Sequence, residues 1–269
     1  MPAVGVALIV LVFLVAVFSA VWAWQLRSGN AGMVDPVWAL SLGMVALLYA
    51  WLGAGSLLAR VLVGVGGAVW GARLGGHLWR RNAGKPEDAR YRKLREEWGA
   101  SAARNMFGFF QLQAAVSMFL SIAFAVPSYR ADSPSALAMA AAVALWLMAV
   151  TGEALADRQL RSFAANPLNR GKTCRVGLWR YSRHPNYFFE CVHWLAYVPL
   201  AIGSPWAWLT LLPPVAMAWL LVKVSGVPML EAHACHARRL YRIRPHNERA
   251  DPLAAAPLMY RHTDPRSPT

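Results

Sequence analysis

Long apolar stretches alternate with short polar gaps along most of this chain. A helix needs about 20 apolar residues to cross roughly 30 Å of hydrocarbon. Seven stretches approach that length: residues 4–24, 37–58, 61–79, 106–126, 136–155, 187–202 and 206–222. The pattern predicts an all-α integral membrane bundle of about seven transmembrane helices.

The basic residues predict the orientation of this bundle. If the N-terminus is outside, the inside segments are residues 25–36, 80–105, 157–186 and 223–269, and they carry 24 of the 27 Lys and Arg residues. Cytoplasmic loops of membrane proteins carry such an excess. We therefore expect a cytoplasmic C-terminus, and one membrane-embedded domain over residues 1–269. Segments 80–105 and 157–186 are its basic cytoplasmic loops, and residues 223–269 are its cytoplasmic tail.

Composition narrows the possible functions. Hydrophobic residues make up 57% of the chain and charged residues 15%, with a net charge of +14. Because the basic residues lie in the gaps between apolar stretches, membrane topology explains the charge and no nucleic-acid partner is predicted. The three cysteines lack CxxC spacing, and the chain has neither a GxGxxG nor a P-loop motif, which argues against a zinc site and against a soluble nucleotide-binding module.

Ionisable residues inside the spans are the first candidates for chemistry, because charge is costly in the bilayer. Arg73 lies in the third predicted span. Glu153, Asp157 and Arg161 follow at intervals of four residues near the end of the fifth span, so they share one helix face. Arg73 snorkelling to the interface and an Asp157–Arg161 surface pair are the structural alternatives.

The segment from residue 177 to 190 is the most informative part of the sequence. Pro185 favours a helix start, and the spacing places Asn186, Glu190 and Trp194 on one face of that helix. Four basic side chains precede or open it: Lys172, Arg180, Arg183 and His184. Cations around a helix N-terminus predict a phosphate site. A loop resting on anionic lipid headgroups would explain the charges, but not Asn186 and Glu190 beneath them.

A further polar cluster follows the seventh span and contains Glu231, His233 and His236. Glu231 and His233 lie two residues apart and would not share a helix face. We therefore predict no metal site.

The motif Gly-Leu-Trp-Arg-Tyr-Ser-Arg-His-Pro-Asn-Tyr-Phe-Phe-Glu at residues 177–190 resembles bacterial members of the steroid 5α-reductase-like superfamily. Shorter similarities occur at residues 70–74, 87–91, 156–159 and 225–231. The Arg-His-Pro-x-Tyr element, residues 183–187, also resembles isoprenylcysteine carboxyl methyltransferases, which use S-adenosylmethionine. Steroid reductases bind NADPH in a seven-helix bundle open to the cytoplasm, and the resemblance implies the same cofactor, a bacterial inner-membrane location and a lipid or steroid-like substrate.

The resemblance also implies roles for individual residues. It assigns cofactor contacts to Glu153, Asp157, Lys172, Tyr181, Asn186, Glu190 and Trp194. The basic segment adds Arg180, Arg183 and His184 as phosphate contacts, and Arg161, Tyr187, Glu231 and His233 complete the residues expected to bind the cofactor. The steroid enzymes meet their substrate with a Gln–Glu pair on span two and a Tyr on span three. Here span two offers only Tyr49, and Trp70 stands near the Tyr position.

The function predicted from these features is NADPH-dependent reduction of a conjugated C=C bond in a lipid or steroid-like molecule. Tyr49, Arg73 or Gln113 would donate to the carbonyl oxygen on which negative charge develops. One alternative is an S-adenosylmethionine-dependent membrane methyltransferase, in which Glu231 is the acidic group after the last spans. A second alternative is a non-enzymatic lipid-binding membrane protein. No obligate protein partner is evident.

Overall fold

The computed structural model describes residues 1–169 and 171–224, and all regular structure in that part of the chain is helical. Its α-helices are α1 Ala3–Ser28, α2 Val34–Leu52, α3 Leu57–Asn82, α4 Ala89–Trp98, α5 Ala102–Leu120, α6 Ile122–Ser128, α7 Ala136–Ala165, α8 Pro185–Leu195, α9 Val198–Ala201 and α10 Leu212–Trp219. The predicted all-α class is confirmed for these residues. Most of the predicted tail, with Glu231 and His233, lies outside the described residues.

Six helical segments are long and apolar enough to cross a membrane: Ala3–Ser28, Ala31–Leu52, Leu57–Asn82, Ala89–Ser128, Ala136–Ala165 and Ala207–Val224. They support a multi-spanning membrane protein. The predicted sixth span, residues 187–202, is not among them, because these residues divide into α8 and α9, so the predicted count of seven is not confirmed. Pro199 lacks the amide that would bond to the carbonyl four residues earlier, which disfavours a continuous helix there.

Several boundaries also differ from the prediction. The predicted span 106–126 comprises α5 and α6, which meet at Ser121; the Ser121 N–H still bonds to the Ser117 carbonyl at 2.9 Å as in a continuous helix, and both helices belong to one candidate spanning segment. Helix α7 continues to Ala165. The predicted loop 157–186 therefore begins as helix, and Asp157 and Arg161 lie on α7.

The described residues cluster into two compact units, Met1–Val150 with Glu190–Met217 and Thr151–Phe189 with the segment from Ala218. In the first unit, α2 and α3 approach closely through small residues. A Cβ added to Gly67 would lie 2.3 Å from the Cβ of Ala46, and one added to Gly71 would lie 2.8 Å from the Ala39 carbonyl oxygen. Small residues at such contacts are typical of helix packing in membranes.

Helix α4 lies inside the segment 80–105, which was predicted as a loop, and is fastened to the start of α2. Arg90 Nη2 donates to Asp35 Oδ2 at 2.7 Å, and Glu87 Oε1 accepts from the Ala31 amide at 2.8 Å. These contacts bring the predicted inside segments 25–36 and 80–105 to the same end of the first unit, as the predicted alternation requires.

Asp88 caps the N-terminus of α4. Its Oδ1 accepts from the backbone N–H of Arg90 at 3.0 Å and from Arg90 Nε at 3.1 Å. Burial alone would raise the pKa of the Asp88 carboxyl, but the hydrogen bonds and charge of Arg90, with a smaller contribution from Arg81, hold that pKa below its ordinary value of 3.8. The ionised carboxylate therefore stabilises the start of this helix.

The opposite end of the first unit contains the predicted outside segments. The Gly55 amide donates to the Ser128 carbonyl at 2.9 Å, and the Ser56 amide donates to the Arg130 carbonyl at 2.8 Å. Arg130 Nη1 reaches the Leu200 carbonyl at 3.4 Å. The chain after α8 therefore arrives at the end of the first unit that lies away from α4.

Candidate functional site

Glu190 lies on α8 in the first unit, and indole N–H groups hold both of its carboxylate oxygens. Trp70 Nε1, on α3, donates to Oε2 at 3.0 Å, and Trp194 Nε1, one turn later on α8, donates to Oε1 at 3.0 Å. Glu190 is 6% exposed and both indoles are fully buried. A carboxylate accepts about four hydrogen bonds, so the two indoles do not by themselves exhaust it.

Two further buried polar residues, His193 and Tyr197, adjoin the cluster formed by Glu190, Trp70 and Trp194. The His193 ring stacks on Trp70 with 4.5 Å between ring centroids and an interplanar angle of 11°. The Tyr197 hydroxyl lies 3.3 Å from His193 Nε2, and Arg73 lies close enough for its charge to act on the His193 ring. The sequence reasoning missed His193 and Tyr197, although their spacing after Glu190, three and seven residues, is that of one helix face.

The second unit fastens the basic motif onto α7. The Leu178 amide donates to Gln159 Oε1 and Trp179 Nε1 donates to the Ala156 carbonyl, each at 2.9 Å. Gly177 adopts a left-handed φ of 56°, and a Cβ there would lie 2.2 Å from Gln159 Nε2. The left-handed φ favours glycine at this position, and a side chain there would displace the Gln159 amide that holds the turn at residues 177–180 against α7.

Two carboxylates occupy the buried part of α7 beside this turn. Glu153 is 4% exposed and Asp157 is 7% exposed. They lie one helical turn apart, as their spacing predicted, while Arg161 a turn later is exposed. Two buried acids in a membrane helix are costly unless they have partners, and both make polar contacts.

The start of α8 combines exposed cations with a buried amide oxygen. Besides Arg161, the exposed members of the predicted cofactor set among the described residues are Lys172, Arg180, Tyr181 and Arg183. The His184 ring stacks on Tyr187, with 5.1 Å between centroids and an angle of 15°. Asn186 Oδ1 is buried and accepts no hydrogen bond from residues 1–169 or 171–224. A buried amide oxygen in this state is costly, and a donor on a ligand would satisfy it.

A comparison with known proteins places the chain in a family. Residues 21–244 match the model of the family described as "Protein of unknown function (DUF1295)". The chain belongs to that family. The match spans every candidate residue from Tyr49 to His233, so the proposed site lies within the region that defines DUF1295 proteins. No curated protein and no solved structure matches the chain.

The predicted carbonyl donors are not brought together in this DUF1295 protein. Tyr49 lines a pocket of about 280 Å³ with Ser121 and Tyr129, and it lies six residues beyond Gly43, which packs against Gly71. Six residues of helix span about 9 Å. Gln113 is on α5, and its side chain makes no hydrogen bond within the described residues. Among the three, Arg73 alone adjoins the Trp70–His193 stack.

Proposed function

We propose that this protein is a membrane-embedded, NADPH-dependent reductase of a conjugated C=C bond in a lipid or steroid-like molecule, within the steroid 5α-reductase-like superfamily. The observation that carries the proposal is Asn186 Oδ1, a buried acceptor without a donor in the described residues, at the start of a helix preceded by basic side chains. The carboxamide of the nicotinamide ring in NADPH supplies such a donor. The phosphate groups of NADPH carry negative charge that suits the basic side chains.

The proposed cofactor contacts come from the basic segment before α8 and from α8 itself. Arg180, Arg183 and Lys172 are exposed cations that meet phosphates, including the 2′-phosphate that distinguishes NADPH from NADH. Asn186 accepts from the carboxamide. Glu190, one turn further along α8, presents a second acceptor whose orientation its indole partners fix.

When bound, NADPH supplies a hydride to the β-carbon of the conjugated bond. The chain must then stabilise negative charge on the carbonyl oxygen of the substrate, which a fixed donor in a dry site does well. Arg73 is the predicted donor that remains beside the aromatic stack of the first unit. Tyr49 keeps this role only for a substrate bound in the separate pocket that it lines with Ser121.

The same proposal sets the orientation of the protein. The basic segments face the cytoplasm, where NADPH is available, and the N-terminus faces outward across a bacterial inner membrane. The distribution of 24 of 27 Lys and Arg residues in the inside segments supports this orientation.

Thermal unfolding in detergent tests the cofactor assignment. NADPH should stabilise the purified protein more than NADH does, by mass action on the folded state. Asn186→Leu should weaken NADPH binding by roughly 2- to 12-fold, the range for one neutral hydrogen bond. Asn105→Leu is the matched control, since Asn105 lies on α5 in the first unit.

A second pair of variants separates the phosphate contact from a general charge effect. Arg183→Gln should reduce the preference for NADPH over NADH, whereas Arg92→Gln, at another exposed arginine on α4, should not. Stabilisation by S-adenosylmethionine without stabilisation by NADPH would instead support the methyltransferase. If neither ligand stabilises the protein, the non-enzymatic lipid-binding alternative stands.

A further inference from the structure

We propose that Tyr197 donates a hydrogen bond to the carbonyl oxygen of a lipid ketone or enone, whose apolar end occupies a pocket between α3, α7 and the α8–α9 segment. The ligand class is argued from the pocket itself. Its identification as the substrate rests on the proposed function.

The pocket is a cavity of about 190 Å³ within the first unit. Apart from Trp146 and Tyr197, its lining side chains are aliphatic or absent. Small-molecule sites in proteins commonly measure about 300–1,000 Å³, so this pocket takes part of a molecule, such as one ring or chain end. Because its walls include two candidate spanning helices, α3 and α7, its ligand enters from the bilayer.

Gly66 has no side chain to cover the two polar atoms of this pocket, Trp146 Nε1 and the Tyr197 hydroxyl oxygen. A Cβ added to Gly66 would lie 3.3 Å from Trp146 Nε1 and 3.4 Å from the Tyr197 hydroxyl oxygen. The indole N–H already donates to the Gly66 carbonyl at 3.0 Å. The Tyr197 hydroxyl is therefore the polar group left to a ligand.

The contact with His193 sets the direction of this hydroxyl. His193 Nδ1 is buried and makes no hydrogen bond within residues 1–169 and 171–224. An unpaired lone pair is tolerated in a protein interior better than an unpaired N–H, which places the imidazole proton on Nε2. Nε2 then donates to the Tyr197 oxygen across 3.3 Å, and the phenolic O–H is directed elsewhere.

A single hydrogen-bond donor in an apolar pocket favours a ligand that is mostly apolar and carries one uncharged hydrogen-bond acceptor. A carboxylate would carry its charge into this surrounding at high cost, and an alkane would leave the buried hydroxyl unpaired. A ketone or enone carbonyl accepts without needing to donate. The chemistry of the pocket therefore fits a lipid that has one carbonyl at the end of an apolar chain or ring.

Infrared spectroscopy of bound 2-undecanone with a ¹³C-labelled carbonyl tests the proposal on the full protein in nanodiscs without NADPH. The carbonyl band should move to lower frequency on binding to the wild type. Tyr197→Phe should abolish that shift and weaken binding about 2- to 12-fold, the range for one neutral hydrogen bond. Tyr129→Phe, at a tyrosine that lines the other pocket, is the matched control and should change neither.

A second variant keeps the test decisive if Tyr197→Phe misfolds. Gly66→Ala places a methyl group 3.4 Å from the hydroxyl oxygen and should weaken 2-undecanone binding in protein that still unfolds cooperatively. A shifted band that persists in Tyr197→Phe, or equal affinity for undecane, would overturn the proposal. If 2-undecanone binds through Tyr197 but NADPH does not bind, the proposed ketone site is supported and the proposed reductase function is refuted.

Discussion

Replacing Glu190 with Gln tests whether this carboxylate holds Trp70 and Trp194 in place. Each carboxylate oxygen accepts one indole N–H at 3.0 Å. Gln offers one oxygen and one NH₂ group, so one indole keeps its acceptor and the other faces a donor. A hydrogen bond to a charged group contributes about 1.5–3 kcal/mol, so we expect a loss of at least that size.

The loss should appear in the ligand-free protein. For a protein of 150–250 residues, 1 kcal/mol shifts Tm by about 2–4 °C, so Glu190→Gln should lower Tm by roughly 3–12 °C. The matched control is Glu97→Gln, at an exposed carboxylate 3.7 Å from Lys93. An exposed pair contributes about 1 kcal/mol or less. If the two variants unfold at the same temperature in detergent, the carboxylate does not hold the indoles.

A double-mutant cycle isolates the bond to Trp194. Trp194→Phe keeps an aromatic ring beside Glu190 but removes the N–H donor. Because each single change removes the same hydrogen bond, their effects should be non-additive by about 0.5–3 kcal/mol. Additive effects on the free energy of unfolding would mean that the two side chains do not interact in solution.

Three other features give predictions that are simpler to test. Gly67→Ala should destabilise the protein by about 1–3 kcal/mol through overpacking, whereas Gly76→Ala, with no atom within 4 Å of the added Cβ, should not; thermal unfolding compares the pair. Because the folded pKa of Asp88 lies below 3.8, its stabilisation is complete above that pH and is lost as pH falls through the folded pKa. The Tm difference between wild type and Asp88→Asn should therefore be constant near neutral pH and disappear in acid. A reporter that is active only in the cytoplasm should be active when fused after Thr269 and inactive when inserted at Ser133. Activity at Ser133 would contradict the predicted orientation.

The main helices were predictable because hydropathy depends on the sum of many side chains. A hydropathy sum cannot show the effect of a single backbone group, and the division between α8 and α9 depends on the missing amide N–H of Pro199. Hydropathy also fails to identify helices whose side chains are mostly polar. The segment containing α4 was assigned to a loop because of its charges, but those charges fasten the helix to Asp35 through Arg90.

Within the candidate site, local spacing predicted what one helix determines. Asn186, Glu190 and Trp194 were placed on one face of α8 from their intervals, and Trp194 indeed donates to Glu190. The second donor, Trp70, precedes Glu190 by 120 residues. Its role depends on which faces of α3 and α8 meet, and the residue spacing within one helix does not record a contact between two helices.

The bond from Trp70 also bears on which residue can meet a substrate carbonyl. An indole has one N–H and no acceptor, and the N–H of Trp70 is directed at Glu190. Trp70 therefore cannot replace the Tyr that the steroid enzymes carry near this position in span three. In the proposed reductase, the donor therefore has to come from a side chain other than Trp70. Tyr197 is joined to the same cluster through His193, which stacks on Trp70, and its hydroxyl lies at the apolar pocket lined by Gly66. Because a substrate in that pocket would lie beside the Tyr197 hydroxyl, we expect Tyr197→Phe to impair its carbonyl recognition, whereas Tyr49 would act only on a substrate in the pocket that it lines.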